Sequence, residues 1–579
     1  MKSLYILVLL FSAFLLNAQF LPNNLTEQER AYLPNYVRNV SATGITIPPA
    51  STVRSVAEWE EMQAIVISWV RYESQLTEIV RAAVEECDVY ILTDNQSSTQ
   101  SYLQNHDVNT TNVYYINYNT NSVWIRDYGI NNIYTNDVDS LLFLDWIYNR
   151  PRPNDDNSAS PIADAFNIPL YKTTQAPTDL VNTGGNYFTD GFGTAFCEEL
   201  ILSENKVDND YDVTAKTEAE IDTIMKHFMG IDRFIKFPVL PYDGIHHIDM
   251  HMKMLDEETI LCAEYPTGVA DGPQIEDNLQ NVLAPENSVF GDEYRVIRIP
   301  SPPDLNGDYP ANGWNNGDYY TYTNSLIINK TIIVPTYYEE YDTTALRIYQ
   351  EAMPGYKIVG VDCDDNSGPI FSSGAIHCIT HEIATTDPLL ISHQRLRDTD
   401  NIYTDYEVKA KIMHRSGINT ATLYYKTDLA GAYQSVTMNF TNTSLNEWTG
   451  YIPVQQSGTK VYYYIEANAV SGKTQVRPMP APAGYWDFTV LNTIDIANNN
   501  TLNLNVFCTE NSLKIFSDKQ FNSNIIITDI LGKQVYNSNI SVLEGENTIN
   551  INTFNLNKAV YLISLNYNNS YITNKFVVR

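Results

Sequence analysis

Three short polar clusters contain residue types that together can attack the carbon of a planar cation such as a guanidinium. Cys378 lies in an apolar, strand-like run, and its thiolate would be the nucleophile. Far upstream, Asp127 follows Trp124, and His247 stands two positions before Asp249. Carboxylates hold a cation by paired hydrogen bonds, and a histidine moves protons. A thiol, a histidine and two carboxylates therefore predict cysteine hydrolase chemistry on a cationic group.

The segment from residue 245 to residue 253 predicts a strand, because apolar and polar residues alternate along it. In that strand His247, Asp249 and His251 share one face, which suits a proton shuttle beside a carboxylate that binds a cation. The same three side chains could instead hold zinc or iron, or form the solvated face of a strand. The sequence leaves these alternatives open.

Asp127 and Cys378 each have an ordinary structural explanation as well. A carboxylate at a strand end can grip a guanidinium while Trp124 stacks on its flat face, but an aspartate there can also cap a turn. A single cysteine in an apolar run is more often a small buried hydrophobe than a nucleophile. The combination of the three clusters favours the catalytic interpretation.

Length and charge limit the function classes. A chain of 579 residues predicts about three to four domains. The formal net charge of −33 argues against nucleic acid and anionic membranes as partners. Six cysteines are scattered singly without zinc-site spacing, so a disulfide scaffold or a metal knuckle is not expected.

The N-terminus predicts export. Residues 1–18 read as a signal peptide, with Lys2 before an apolar run and Ala18 at a plausible cleavage site. Residues 19–54 are polar and contain proline, which indicates a linker or a removable pro-segment. No later segment is apolar for long enough to predict a transmembrane span.

Residues 55–383 alternate between strand and helix patterns, which predicts an α/β domain. The predicted strands are 64–70, 89–93, 113–118, 141–146, 234–240, 259–263, 326–334 and 357–361, and the predicted helices are 75–87, 218–229 and 344–353. Residues 384–492 contain only alternating strands, at 406–413, 421–426, 448–454, 461–470 and 486–490, and predict a β-sandwich. Residues 493–579 form a second, asparagine-rich β module.

A family resemblance rests on several motifs taken together. They are Trp124-Ile-Arg-Asp127-Tyr-Gly129, Tyr148-Asn-Arg150-Pro-Arg152, Thr183-Gly-Gly-Asn186, His247-Ile-Asp249, Tyr322-Thr-Asn324, Ala352-Met-Pro-Gly-Tyr356 and Ile376-His-Cys378-Ile-Thr-His381. In type and order these motifs resemble the bacterial peptidylarginine deiminases. Those enzymes are relatives of the agmatine deiminases, which carry the family label putrescine biosynthesis, in the guanidine-modifying superfamily. The similarity spans roughly residues 55–383 and continues into the sandwich.

The resemblance implies a fold and a set of roles. The fold would be a five-bladed α/β propeller (pentein) with the active site at its centre, followed by an immunoglobulin-like sandwich. Cys378 would attack the guanidinium carbon, Asp127 and Asp249 would hold its N–H groups, and His247 would move the protons. Asn324 would line the same pocket. The product would be citrulline plus ammonia, formed through a thiouronium intermediate, and no cofactor would be required.

Two arginines bear on the choice of substrate. Arg150 and Arg152 are unexpected beside a site for a cation, unless they bind a carboxylate. In the peptidylarginine branch the matching pair grips the C-terminal carboxylate of a peptide that ends in arginine. Gly244 departs from the family, which has a tyrosine there, so the preference for a C-terminal arginine could be looser. A solvated basic loop is the ordinary alternative.

The C-terminal module resembles the small β-sandwich sorting domain of the type IX secretion system. Gly532, Tyr561 and Lys575 fit its pattern, although Ala559 replaces a usual glycine. The resemblance implies that the secretion machinery is a partner and that the protein is released or held at the outer-membrane surface of a bacterium.

Other functions remain open at this stage. The chain could act on agmatine or free arginine instead of arginine in peptides or proteins. It could be a metallohydrolase built on His247, Asp249 and His251, or a surface adhesin without catalysis. A structural calcium or sodium ion is also compatible with acidic clusters such as residues 362–365.

Overall fold

The computed structural model describes most of the chain. It covers residues 21–38, 43–311, 319–365, 368–491, 504–508, 512–517, 519–550, 556–557, 559–567 and 570–578. The predicted signal peptide lies outside these residues. The chain divides into two compact units, Met1–Val490 and Leu491–Arg579. Within the described residues, no helix has both the length and the apolar character needed to cross a membrane.

Five small sheets make up the α/β region of the first unit. The first sheet has Val53–Ser55, Asn131–Thr135, Leu141–Tyr148, Leu170–Thr173 and Val181–Asn182; the second has Phe188–Thr189, Thr194–Glu198 and Arg233–Phe237; the third has Met252–Met254, Thr259–Glu264 and Arg295–Pro300; the fourth has Leu326–Ile328, Thr331–Thr336 and Lys357–Asp362; the fifth has Met62–Ser68, Asp88–Thr93, Val113–Asn117 and His381–Ala384. Each contains an antiparallel pair followed by a parallel pair. The last strand of the region, His381–Ala384, pairs with the early strand Met62–Ser68.

In every one of these sheets a helix connects parallel strands, as a parallel connection requires. The α-helices of the region are Glu73–Ala83, Gln96–Asn105, Ile125–Tyr128, Pro153–Asp156, Ala159–Phe166, Leu200–Asn205, Glu218–Met229, Gly272–Asn278 and Glu339–Ala352. Shorter 3₁₀ turns are Gly184–Asn186, Ile248–Met250, Pro369–Ser372 and His377–Ile379, and Leu279–Leu283 is a π-helical turn. The region before residue 53 adds the helix Glu27–Tyr32 and the 3₁₀ turn Leu33–Asn35.

Helix Glu218–Met229 illustrates how the sequence specifies these elements. Thr217 and Glu220 form a reciprocal capping box at its start, which satisfies backbone N–H groups that have no partner within the helix. Gly230 ends the helix in the left-handed conformation, with φ of 70°. A Cβ there would also meet the Val53 carbonyl oxygen at 1.9 Å, so glycine is required.

After residue 389, the regular elements of the described residues are all strands. Residues 389–490 contain Leu390–Ser392, Tyr406–Met413, Ile418–Lys426, Gln434–Asn442, Glu447–Ile452, Lys460–Ala469, Thr474–Arg477 and Trp486–Thr489 around one apolar core. Strand Tyr406–Met413 alternates buried and more exposed side chains, as a strand with one face on a core should. The second unit contains Leu504–Cys508, Ser512–Ser517, Phe521–Asp529, Gln534–Val542, Gly545–Asn550, Ala559–Tyr567 and Ser570–Val578.

Three local predictions are wrong. The segment from residue 245 to residue 253 is a 3₁₀ turn, Ile248–Met250, followed by a short strand that begins at Met252. Cys378 lies in the 3₁₀ turn His377–Ile379, and the strand begins only at His381. The apolar run 326–334 is a tight antiparallel hairpin. The periodicity of apolar residues does not distinguish these runs from regular strands, because the buried turns of this fold are as apolar as its strands.

Candidate active site

Cys378 is fully buried in a 3₁₀ turn and is held by polar neighbours from distant parts of the chain. Asn324 Nδ2 donates a hydrogen bond to Cys378 Sγ at 3.2 Å, and Asn324 Oδ1 accepts from the backbone N–H groups of Cys378 and Ala375. Cys378 Sγ also lies 3.8 Å from Asp249 Oδ2. The amide of Asn324 therefore fixes both the thiol and the turn that carries it.

Asp127 and His247 form the second part of the site. His247 Nδ1 lies 3.5 Å from Asp127 Oδ1, and both side chains are fully buried. Gly185 donates its backbone N–H to Asp127 Oδ1 at 3.2 Å. A Cβ on Gly185 would meet His247 Nδ1 at 2.5 Å, so the Gly-Gly motif permits this close approach.

Several polar atoms at this centre have no hydrogen-bond partner in the protein. They are Asp127 Oδ2, Asp249 Oδ1 and both ring nitrogens of His247. Leaving buried polar groups unpaired is costly, and these atoms are available as acceptors to a ligand that carries N–H donors.

Burial dominates the electrostatics of the site without substrate. It raises the pKa of Cys378 well above the usual thiol value, and the nearby carboxylates Asp249 and Asp127 raise it further. Burial, together with Asp249, raises the pKa of Asp127 to about 7. Burial and Arg150 lower the pKa of His247 well below its usual value. The resting centre therefore favours a neutral thiol and a neutral imidazole, and a bound cation would favour the thiolate.

A chain of hydrogen-bonded side chains behind Asp249, which ends in the Lys253–Glu58 ion pair, was missed by sequence reasoning. His377 Nδ1 lies 2.7 Å from Asp249 Oδ2, and His377 Nε2 lies 3.0 Å from Glu58 Oε2. Lys253 Nζ donates to both oxygens of Glu58. Burial opposes ionisation of Glu58, but Lys253 and His377 outweigh it and lower its pKa. His377 stood beside the nucleophile in the sequence, but nothing signals a partner 319 positions away.

A second buried ion pair supports the turn that carries the nucleophile. Arg126 Nη2 lies 2.6 Å from Glu382 Oε2, and Arg126 Nε donates to the His377 carbonyl oxygen at 3.3 Å. Trp124 packs against the residues just before the turn, where a Cβ on Gly374 would meet the Trp124 ring at 2.5 Å. The turn that carries Cys378 is thus supported by a buried ion pair and by an aromatic ring.

The sequence matches a known protein family. Residues 54–383, more than half of the chain, match the Porphyromonas-type peptidyl-arginine deiminase family. The chain belongs to this family. Its members act as deiminases on guanidino groups. Residues 494–579 match a secretion-system C-terminal sorting domain. The chain thus carries a type IX sorting domain and is secreted or held at the cell surface.

Individual relatives are distant. A protein of Mycoplasma mycoides provisionally named agmatine deiminase is 26% identical over 301 residues, which cover 48% of this chain and 78% of the relative. A similarly named protein of Vibrio parahaemolyticus is 26% identical over 286 residues, 45% of this chain and 75% of the relative. The solved agmatine deiminase of Enterococcus faecalis is 19% identical, with a TM-score of 0.50, over 59% of this chain and all of that one. The last similarity supports the deiminase fold alone.

The predicted arginine pair is buried and, like Trp124, it hydrogen-bonds to the segment that contains residues 21–29. Arg150 and Arg152 are 5% and 1% exposed. Arg152 binds the carboxylate of Glu29, with Nε 2.7 Å from Oε1. Arg150 Nε donates to the backbone carbonyl of Asn23 at 2.9 Å. The pair is therefore not a solvated loop, and one member already binds a carboxylate.

The alternative metal site predicted from His247, Asp249 and His251 does not assemble. Among the described residues, the group whose ligand atoms all lie within 4.8 Å of one another is Glu198, Asp243 and His246. His251 Nδ1 instead lies 3.7 Å from Glu198 Oε1. The turn at Ile248–Met250 separates the side chains that a regular strand would have aligned.

Proposed function

We propose that the protein is a cysteine-dependent deiminase that converts the guanidinium of peptidyl-arginine to the ureido group of citrulline and releases ammonia. The observation that carries this proposal is the cluster at Cys378: a thiol beside the Asn324 amide, with unpartnered oxygens of Asp127 and Asp249 and an unpartnered His247 nearby. A guanidinium offers five N–H donors and a positive charge, which match these acceptors.

The reaction proceeds in two steps on these residues. The guanidinium binds between Asp127 and Asp249, and its charge stabilises the thiolate of Cys378. His247 takes the proton of the thiol as the sulfur attacks the central carbon, and it returns that proton to the leaving ammonia when the carbon–nitrogen bond breaks. His247 then takes a proton from water, whose oxygen attacks the thiouronium carbon. The carbon–sulfur bond breaks and releases the ureido product and the free thiol.

The supporting residues have positioning roles in this proposal. Asp249 is oriented by His377, which in turn contacts Glu58, so one oxygen of the carboxylate is fixed while the other stays available. Fixed orientation reduces the reorganisation needed in the transition state. We further propose that the five sheets form the blades of a pentein propeller, since each repeats one pattern of antiparallel and parallel pairing.

Arginine at the C-terminus of a peptide is the proposed preferred substrate. Arg150 and Arg152 would bind its carboxylate, and the bidentate contact between Arg152 and Glu29 supports this, because it is the same chemistry within the chain. Agmatine has no carboxylate and would not need the pair. Agmatine or free arginine is the alternative substrate, and the names of the relatives favour it.

The proposed reaction needs no metal or organic cofactor, because the thiol, the imidazole and water supply every proton and bond. A structural calcium or sodium ion stays a prediction. Glu198, Asp243 and His246 are the described residues best arranged for a cation. Metal analysis of the purified protein, followed by a thermal melt with and without chelator, checks this point separately from catalysis.

Ammonia release and peptide mass together test the proposal. The secreted chain is incubated with a short peptide that ends in arginine, with the same peptide amidated at its C-terminus, and with agmatine. We expect the mass change from arginine to citrulline, an equal amount of ammonia, and the highest kcat/KM on the free C-terminal peptide. Turnover of agmatine alone would favour the alternative. Turnover that survives Cys378→Ala would remove the mechanism.

A further inference from the structure

Residues 21–38, called here the N-terminal segment, pack against the proposed active site although they precede the matched family region. The segment contains the short helix Glu27–Tyr32. Thr26 and Glu29 form a reciprocal capping box at the start of this helix. The segment is therefore ordered by its own sequence as well as by its contacts.

The first residues of the segment bind the two elements that flank the nucleophile. Trp124 Nε1 donates to the Leu21 carbonyl oxygen at 2.9 Å. The Asn23 backbone N–H donates to the Ser372 carbonyl at 2.9 Å, and Asn23 Nδ2 donates to the Ser373 carbonyl at 3.2 Å. Asn23 is completely buried, although its Oδ1 has no partner. The segment thus contacts both Trp124, through Leu21, and the loop that leads to the catalytic turn, through Asn23.

The same segment occupies both arginines of the proposed carboxylate site. Arg150 Nε donates to the Asn23 carbonyl at 2.9 Å. Arg152 binds Glu29 with two hydrogen bonds, Nε to Oε1 at 2.7 Å and Nη2 to Oε2 at 3.1 Å. Arg152 Nη2 also donates to the Pro22 carbonyl at 2.7 Å. A substrate carboxylate cannot form these contacts while the segment holds them.

The far end of the segment is anchored as well. Arg38 Nη1 donates to the Tyr148 carbonyl at 3.0 Å and lies 3.2 Å from Asp156 Oδ2. Both charged side chains are about nine-tenths buried, so this ion pair is shielded from screening by salt. The segment is tied down at residues 21–24, at Glu29 and at Arg38.

We infer that the N-terminal segment is an internal pseudosubstrate that closes the catalytic pocket. The Glu29 carboxylate takes the place of the substrate carboxylate. The pocket opens when the segment is cleaved away or displaced. The inference rests on the proposed function for the identity of the substrate, but the closure of the pocket rests on the contacts alone. Cys378, Asp127 and His247 are all 0% exposed with the segment in place. A segment that only stabilises the fold would not need to occupy the arginine pair.

The test compares three forms of the full chain: wild type, Glu29→Lys and the matched control Glu27→Lys. Glu27 lies on the same helix but is exposed, and no contact with the site residues involves it. The lysine at position 29 removes the ion pair and places a like charge against Arg152. The first readout is the rate at which iodoacetamide alkylates Cys378, followed by mass spectrometry of its peptide. The second readout is kcat/KM for a C-terminal arginyl peptide.

We expect Glu29→Lys to raise the alkylation rate of Cys378 and kcat/KM on the order of tenfold or more, because hydrogen bonds between charged groups are lost. Glu27→Lys should match wild type in both. Equal alkylation rates in all three proteins would overturn the inference. If Glu29→Lys melts earlier than wild type, Glu29→Gln and Thr26→Ala repeat the test, since they loosen the segment without adding a charge. Unchanged alkylation in these variants would equally overturn it.

The two readouts separate failure of the inference from failure of the proposed function. Faster alkylation of Cys378 without ammonia release from any arginyl peptide would retain the pseudosubstrate and remove the deiminase proposal. If all three proteins show the same alkylation rate of Cys378 and the same rapid deimination, the deiminase proposal is retained and the pseudosubstrate is removed. Faster alkylation and faster turnover together support both.

Discussion

The α/β region and the strand-only region after it differ in how many of their buried polar atoms lack a hydrogen-bond partner. In the strand-only region at 389–490, buried and more exposed side chains alternate along Tyr406–Met413, and Arg395 Nε is, within this described stretch, the only buried side-chain nitrogen or oxygen without a partner. In the described part of the α/β region such atoms are far more numerous, and Asp127, His247 and Asp249 are among the residues that carry them. Each such group costs about 1–3 kcal/mol, so their accumulation identifies the region that gives up stability for a function.

The comparison also separates two kinds of buried charge. Arg126 with Glu382 and Lys253 with Glu58 are paired and hydrogen-bonded, and they act as a support. Asp127 has no cationic partner within hydrogen-bonding distance, and burial raises its pKa to about 7. The paired charges support the site, and the Asp127 carboxylate, which has no such partner, is available to bind a cation.

Replacement of Cys378 by alanine should give the largest effect. The account predicts that kcat/KM falls at least about 10⁴-fold, because no other described thiol approaches Asp249. The free energy of unfolding should change by no more than about 1–2 kcal/mol, since only one small side chain is trimmed. Steady-state ammonia release and a thermal melt measure both. A large loss of stability would mean that the residue is structural.

Replacement of Asp127 by asparagine removes the carboxylate but keeps its shape. We expect kcat/KM to fall about 10²–10³-fold, as when one charge-stabilising group is lost from an active site. Because the acid must be ionised to hold the guanidinium and its pKa is raised to about 7, wild-type kcat/KM should fall as the pH drops below about 7. The variant should lose this acid limb. A pH profile for both proteins is the measurement, and an unchanged limb would contradict the assignment.

Replacement of Arg152 by alanine tests substrate choice. The ratio of kcat/KM for a C-terminal arginyl peptide to that for agmatine should fall on the order of ten- to a hundredfold, since hydrogen bonds between charged groups are lost. A ratio is used because the same change also frees the N-terminal segment from Arg152. If the ratio stays constant, the pair does not bind a substrate carboxylate.

Replacement of Gly185 by alanine should have a moderate effect. The added Cβ would lie 2.5 Å from His247 Nδ1 and 2.8 Å from Asp127 Oδ1, so one of the two must shift. A displacement of this size predicts a loss of about tenfold to a hundredfold in kcat/KM. Activity equal to wild type would show that the contact between the imidazole and the carboxylate is dispensable.

Replacement of Ile452 by alanine in the strand-only region should leave catalysis unchanged. The side chain is fully buried in the strand-only core, so its removal should lower the free energy of unfolding by about 2–5 kcal/mol. Active-site titration corrects for unfolded protein before rates are compared. A change in kcat/KM per folded molecule would break the separation between the two regions.

The sequence predicts a helix or a strand well where one face of that element packs against a single apolar core. Strand Tyr406–Met413 and helix Glu218–Met229 begin and end where periodicity indicates. The strand Gln434–Asn442 escaped detection because most of its side chains are exposed and polar. The sequence motifs also predict that Cys378 and Asp249 lie close together, and their side chains are 3.8 Å apart.

Other features could not be predicted because they depend on contacts between distant positions. Glu58 reaches His377 across 319 positions, and no spacing rule indicates it. His251 was expected to share a strand face with His247, but a 3₁₀ turn at Ile248–Met250 redirects it towards Glu198. Residues 19–54 predict a linker or a removable pro-segment, and no sequence pattern indicates the contacts of residues 21–38, since many of them are made by backbone carbonyls.

Detection of a covalent adduct tests the central claim most directly. The wild-type chain is mixed with excess C-terminal arginyl peptide, quenched in acid during turnover, and digested for mass spectrometry. The account predicts a thiouronium adduct on the peptide that contains Cys378, which disappears when substrate is exhausted. Sustained release of ammonia without any adduct, or an equal rate from Cys378→Ala, would contradict it.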